Sequence, residues 1–258
     1  MIAYYKRELF SYFRSPIGWV AIAIFALISG FYLSSSIASG VVNISGEIVY
    51  MRSVLFLIIP LITMRLFAEE KRNGTDILMY TSPTPLYHIV IAKYLAAFTL
   101  FMLMSINILM HMVIVNNLGG LVNARTLGSF IAFLFLGAAF LAIGTMASAI
   151  TENQVIASLL SLTIIFFAQY FSVVAAQLRS ILISLLNALK ALGLGSETIN
   201  SAGQSVENAI KWFDPYARLD SLYVGVFNLS PLIYCASLVL LFLFITYRIL
   251  EKRRWSQS

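Results

Sequence analysis

Six stretches of about twenty apolar residues, the length that crosses a hydrocarbon core, dominate the chain: 17–37, 49–66, 89–115, 127–150, 154–176 and 228–250. Inside lipid every backbone N–H and C=O must find its partner within the protein, so such runs fold as helices. With 60% of the 258 residues hydrophobic and only 11% charged, too little polar side chain exists to clothe a globular surface. The sequence therefore predicts an all-α polytopic membrane protein of six transmembrane helices. The first run is longer than a signal-peptide core and lacks a small-residue cleavage pattern, so it is read as retained.

Basic residues orient the spans. Lys6, Arg7, Arg14, Arg65, Lys71, Arg72, Lys93, Arg248, Lys252, Arg253 and Arg254 fall on one side, eleven of seventeen, which places both termini in the cytoplasm of a cell (inner, cytoplasmic) membrane. Arg52, Arg125, Arg179, Lys190, Lys211 and Arg218 take the other side. A net charge of +6 is thereby assigned to membrane flanks rather than to nucleic acid. The single cysteine, Cys235, excludes a disulfide framework within the chain and reads as a packing residue.

Punctuation follows the same boundaries. Ser15-Pro16, Thr84-Pro85, Asp214-Pro215 and Ser230-Pro231 each pair a capping side chain with a proline suited to the first helical turn. Pro60 lies inside the second span and should bend it. The opening segment, residues 1–15, sets Ile2, Tyr5, Leu9, Tyr12 and Phe13 on one helical face and Arg7, Ser11 and Arg14 opposite, as an interfacial helix lying on lipid phosphates would. Ala138, Ala142, Thr145 and Ala149, with Gly144 and Ser148 alongside, give the fourth span a small-residue stripe for close helix approach. Residues 177–227 form an external loop with short helices before the sixth span. One helix carries an apolar period through Ile181, Leu182, Leu185, Leu186 and Leu189, and another is suggested by SVENAIKWF. No internal repeat divides the chain, and 1–258 reads as a single transmembrane domain.

Catalytic signatures are missing. No Gly-Lys pair supports a phosphate-cradling loop and no His-Glu-x-x-His holds zinc, so the chain is not expected to be an enzyme, bind a metal or carry its own cofactor. His88 and His111 read as isolated packing residues, although Asn107 and His111 share a face of the third span. No Asp or Glu falls within the six runs as bounded above, which argues against ion-coupled transport.

One polar island interrupts the apolar sequence. In LFAEEKRNGTDILMYTSPTPLYHIVIAK, Glu69, Glu70, Lys71 and Arg72 suit a solvated helix end, and Asn73-Gly74 breaks it. Thr75 is placed to cap a short helix over 76–80. Ile77, Leu78 and Tyr80 are apolar side chains on a piece too short to bury them, so the segment needs a docking partner or rests on lipid.

This island, extended to KYLAA, resembles the membrane subunits of ABC-2 type transporters. So do YYKRELFSYFRSPIGWVAIAIFALISGFYL at the start, the SAITENQVIAS turn, and WFDPYARLDSLYVGVFNLSPLIY with LEKRRW at the end. The resemblance covers most of the chain and is closest to the gliding-motility-type branch. It implies a permease subunit that couples ATP hydrolysis on cytoplasmic ABC ATPase subunits, which hold ATP and Mg, to substrate export or mechanical work. A second copy or a related permease would complete the membrane part, and the long external loop offers a place for an extracytoplasmic accessory protein. Within 67–88, Glu69, Glu70, Arg72, Gly74, Thr75, Ile77, Leu78 and Pro83 would form the coupling element; Thr151, Glu152, Asn153 and Gln154 would form a smaller second contact. The residues alone leave open an ATP-independent channel or carrier, or a membrane assembly scaffold.

Overall fold

A computed structural model describes residues 1–40, 42–82, 84–188, 196–212 and 214–256. Pro83, Leu189, Lys190 and Phe213, named above, lie outside them. Helices make up most of the described residues, with no strand among them: α1 (Ile2–Arg14), α2 (Pro16–Ala38), α3 (Ile44–Thr63), α4 (Ala68–Arg72), α5 (Asp76–Thr81), α6 (Leu86–Asn117), α7 (Ala124–Ile150), α8 (Gln154–Gln169), α9 (Phe171–Ala188), α10 (Ser196–Lys211), α11 (Pro215–Tyr223) and α12 (Ser230–Ser256). Five segments are long and apolar enough to cross a membrane: α2, Ile44–Arg72, α6, α7 and α12. The pair α8 and α9 passes the same test together but is bent by 58°, as a broken span or a re-entrant loop is, so the count of spans is five or six. The chain is a multi-pass membrane protein.

The fifth run therefore does not continue straight to residue 176. At Tyr170 the N–H turns back to the carbonyls of Phe166 and Phe167, and two residues later the Ser172 hydroxyl is held by Asp214 at the start of α11. That tertiary hold redirects α9, which then pairs with α10 through Arg179–Glu207 at 2.8 Å and a close approach of Gly203 to Ile183. Of the apolar period on α9, Ile181 and Leu185 are exposed, while Leu182 and Leu186 are half-buried.

At the centre stands α7, with 72% of its apolar window buried against 11% for α12. Its small residues meet helices of the same chain, α3 and α12 above all. A side chain at Gly144 would fall on Thr63 of α3, and one at Gly137 on the Phe101 ring of α6. The stripe thus serves internal packing, where dispersion and close backbone approach replace the hydrophobic drive that lipid removes. Cys235 is buried and free, as a packing residue should be.

Two of the four proline pairs cap as expected. Ser15 accepts from Ile17 N, and Asp214 accepts from Tyr216 N at 2.8 Å and Ala217 N at 3.2 Å. Thr84 does not cap α6, and Ser230 is itself capped by Asn228 at 3.1 Å. Pro60 sits in the last turn of α3, yet Ile44–Arg72 runs as one span.

Only part of the polar face of α1 meets protein, since Arg14 stays exposed, and the most buried residue of α1 is Tyr12, from the face expected to be apolar. Tyr12 is buried and donates to the Ile62 carbonyl at 2.8 Å, Ser11 meets Arg65, and Arg7 reaches Glu70 at 2.6 Å. Ile2, on the face expected to meet lipid, is exposed on the protein surface. Backbone carbonyls and acids on α3 and α4 offer the polar groups of α1 partners that desolvated phosphates would otherwise supply.

The packing of α7 is testable. Gly144→Val should lower the thermal midpoint of the purified protein in detergent, by about 1–3 kcal/mol of overpacking. Gly30→Ala, which meets nothing within 4 Å, should leave the midpoint unchanged or raise it.

Candidate functional site

Both chain ends lie at the same end of the bundle, and the polar island lies with them. Its geometry begins on α7. Ser148 Oγ accepts from Phe67 N at 3.0 Å and Ala68 N at 3.1 Å, and donates to the Met64 carbonyl at 3.1 Å. One hydroxyl thus satisfies the turn between α3 and α4, whose orphaned backbone groups would otherwise be buried without partners.

Three cations and three acids follow. Lys93 on α6 is 1% exposed; its ammonium donates to the Leu66 carbonyl at 2.6 Å and stands 3.1 Å from both Glu8 and Glu70. Arg7 bridges the same two acids at 2.7 and 2.6 Å, and Arg65 pairs with Glu69 at 3.1 Å. Around them lies a cavity of about 260 Å³ that also touches Asn73 and Thr75. Burial pushes the Glu8 carboxyl up, but the charge of Lys93 and hydrogen bonds from Arg7 and Lys93 outweigh it and hold it below its ordinary 4.5. Glu69 and Glu70 are therefore ion-paired rather than merely solvated, and Lys71 is buried against the Ala149 carbonyl. Only Arg72 of that run is exposed.

Gly74 follows at φ +67°, a left-handed conformation that leaves its Cβ position in open space and that suits glycine. Thr75 does not cap the short helix; its hydroxyl donates back to the Glu70 carbonyl at 3.3 Å. The helix α5 runs one residue past its expected end. Ile77 and Leu78 are 58% and 69% exposed, while Met79 faces the core and Tyr80 is half-buried against it.

Asp76 looks inward, 3.7 Å from Arg253 of α12. The same guanidinium pairs with Glu152 at 2.5 Å, and that contact holds the Glu152 carboxyl below its usual range. Glu152 belongs to the turn between α7 and α8, where Thr151 Oγ1 accepts from Asn153 N at 3.1 Å and Asn153 caps α8 through Val155 N at 2.9 Å. Gln154 opens that helix. The structure thus brings the two sequence-identified contacts together through Arg253. Sequence reasoning missed Arg253, Lys93, Glu8, Arg7 and Ser148. Lys93 carried a signal, since a lysine at the start of an apolar run needs a partner.

The profile of the ABC-2 family transporter protein matches residues 2–255. The chain belongs to that family. A search among curated proteins returns no match. For an ABC-2 chain the family implies an ABC ATPase partner and a bilayer. In this ABC-2 chain the polar ends of α3, α7 and α12 converge on one surface, from which α5 presents its two apolar side chains.

A further polar group in the ABC-2 chain corrects the reading of its spans as acid-free. The second span starts at Ile44, not 49, and so includes Glu47. Glu47 is fully buried, 2.7 Å from Nδ1 of His111 on α6 and 2.5 Å from the Ser29 hydroxyl on α2. His111 is not isolated.

Lys93→Ala should cost about 3–5 kcal/mol in denaturant unfolding, because it strands two acids in a poorly hydrated site. The pH dependence follows from the lowered Glu8 carboxyl. The stability that Glu8 contributes should be fully present above its ordinary 4.5 and lost as pH falls below that, through the lowered folded value. The difference in thermal midpoint between the unaltered chain and Glu8→Gln should accordingly shrink towards pH 3.

Proposed function

We propose that the chain is the membrane-spanning subunit of an ATP-driven ABC-2 transporter, with the α4–α5 segment as its main contact to a cytoplasmic ATPase and residues 151–154 as a second. The observation that carries this reading is the placement of Ile77 and Leu78. They are 58% and 69% exposed on a six-residue helix that is anchored inward by Asp76 and Met79. A helix this short gains nothing by itself from exposing two aliphatic side chains. A partner groove that buried them would account for both their exposure and the rigidity behind them.

On this reading both termini are cytoplasmic and the membrane is the cell's inner one. Two such subunits, identical or related, face each other, and ATP and Mg stay on the ATPase. Movement of α5 is passed to α3 and α6 through Glu70 and Lys93, and to α12 through Arg253, so that the span ends shift together. The output is substrate export or mechanical work, in a transporter nearest the gliding-motility-type branch. The hairpin of α9 and α10, at the end opposite the termini, is the surface offered to an accessory subunit.

The test is co-purification of the cognate ATPase with Ile77→Ala/Leu78→Ala and, separately, Gly74→Val, at equal membrane expression. Loss of about 1–3 kcal/mol in ATPase affinity is expected for each truncated anchor, and Gly74→Val should weaken the complex because valine is strained at positive φ. Unchanged retention and unchanged ATPase stimulation in both variants would refute the docking assignment.

A further inference from the structure

Arg52, inside the second apolar run and counted on the side opposite the termini, lies two turns inside α3, about 12 Å from the helix start at 1.5 Å per residue. A cation at such depth is costly unless something compensates it. Its guanidinium sits between two rings of α11, 5.0 Å from Tyr216 and 4.6 Å from Tyr223, a cation–π arrangement that offsets part of the cost. The carboxylate facing it, Asp220, is 3.9 Å away with its side chain 69% exposed, and Arg52 Nε has no hydrogen-bond partner.

The site is built, not incidental. Buried Asp214 caps α11 through Tyr216 N and Ala217 N and holds Ser172 at the start of α9. Arg125 Nε donates to the Tyr223 carbonyl at 3.0 Å, securing the other end of α11. Between α3, α11 and the bend from α8 to α9 is a cavity of about 280 Å³, lined by Arg52, Ser53, Gln169, Tyr170, Val173 and Asp220 among others. Oε1 of Gln169 is buried without a hydrogen bond. At the mouth, Val173 is 54% exposed and the exposed Phe166 ring packs on Tyr170 at 4.6 Å, so polar lining passes directly into lipid-facing surface.

Both signs of charge are undermatched. Asp220 meets Arg52 only at 3.9 Å and keeps most of its side chain open, while Arg52 Nε is buried without a partner. A second cation beside Asp220 and an anion beside Arg52 would complete the site. We propose that this cavity binds the headgroup of a zwitterionic phospholipid from the leaflet opposite the termini, with phosphate on Arg52 and a primary ammonium on Asp220 and Gln169. Its acyl chains run over Val173 and Phe166. A primary ammonium supplies three N–H donors, which a trimethylammonium lacks, so ethanolamine heads are preferred over choline. The site belongs to the membrane domain itself and does not depend on ATP coupling.

The experiment uses the delipidated full-length chain, reloaded with phosphatidylethanolamine, phosphatidylcholine or phosphatidylglycerol and read by native mass spectrometry. Soluble glycerophosphoethanolamine is added as a competitor. The ethanolamine lipid should be retained about ten-fold better than the other two, the scale of one charge-assisted contact, and the soluble headgroup should not displace it. Arg52→Gln should abolish the preference, and Arg52→Lys should keep it in part. Asp220→Asn, at an exposed side chain that leaves the fold intact, should erase discrimination between ethanolamine and glycerol heads. Equal retention of all three lipids by the unaltered chain, or a preference that survives Asp220→Asn, would overturn the proposal. Full displacement by the soluble headgroup would overturn its membrane source.

Discussion

A lysine ammonium buried where three helices meet, as Lys93 is, cannot stay charged without compensation, and the elements around it are arranged to supply it. The Leu66 carbonyl comes from the turn after α3, Glu70 from α4 and Glu8 from α1. Removing any one would leave the ammonium of Lys93, itself 1% exposed, less compensated, at a cost larger than a surface ion pair returns. The N-terminal helix, the end of the second span and the start of the third are therefore held as one body. The exposed helix α5 inherits its position from that body.

A second constraint acts through size. Gly144 and Gly137 let Thr63 and Phe101 approach the backbone of α7, and Ser148 then serves as hydrogen-bond partner to the turn that begins α4. A small-residue surface in the bundle centre thus decides where the polar segment leaves the membrane. From the other direction, Arg253 ties α5 and the α7–α8 turn to the end of α12. Displacement of either contact reaches the last span through one side chain.

Far from that end, charge is handled differently. Glu47 is hydrogen-bonded inside the bundle to His111 and Ser29, with partners on α6 and α2. Arg52, on the same helix but facing α11, keeps an open cavity beside it. Each of these two residues leaves one buried polar atom without a partner, Glu47 Oε2 and Arg52 Nε. Arg52 is the one that lines a cavity, which makes it the candidate for a ligand.

Sequence alone determined the helical class, the apolar runs, the glycine break at Gly74 and the exposed pair Ile77 and Leu78. Those depend on run length, local backbone freedom and the shortness of one helix, all of which are local properties. Only the tertiary structure decided that the fifth run bends at Tyr170, that Arg7 and Ser11 of α1 meet protein, and that Glu47 lies within the helix of the second span. It alone paired Lys93 with Glu8 and Glu70, and Arg253 with Asp76 and Glu152. Such partners are separated by tens to more than a hundred residues, and desolvation selects among them only once the helices have packed.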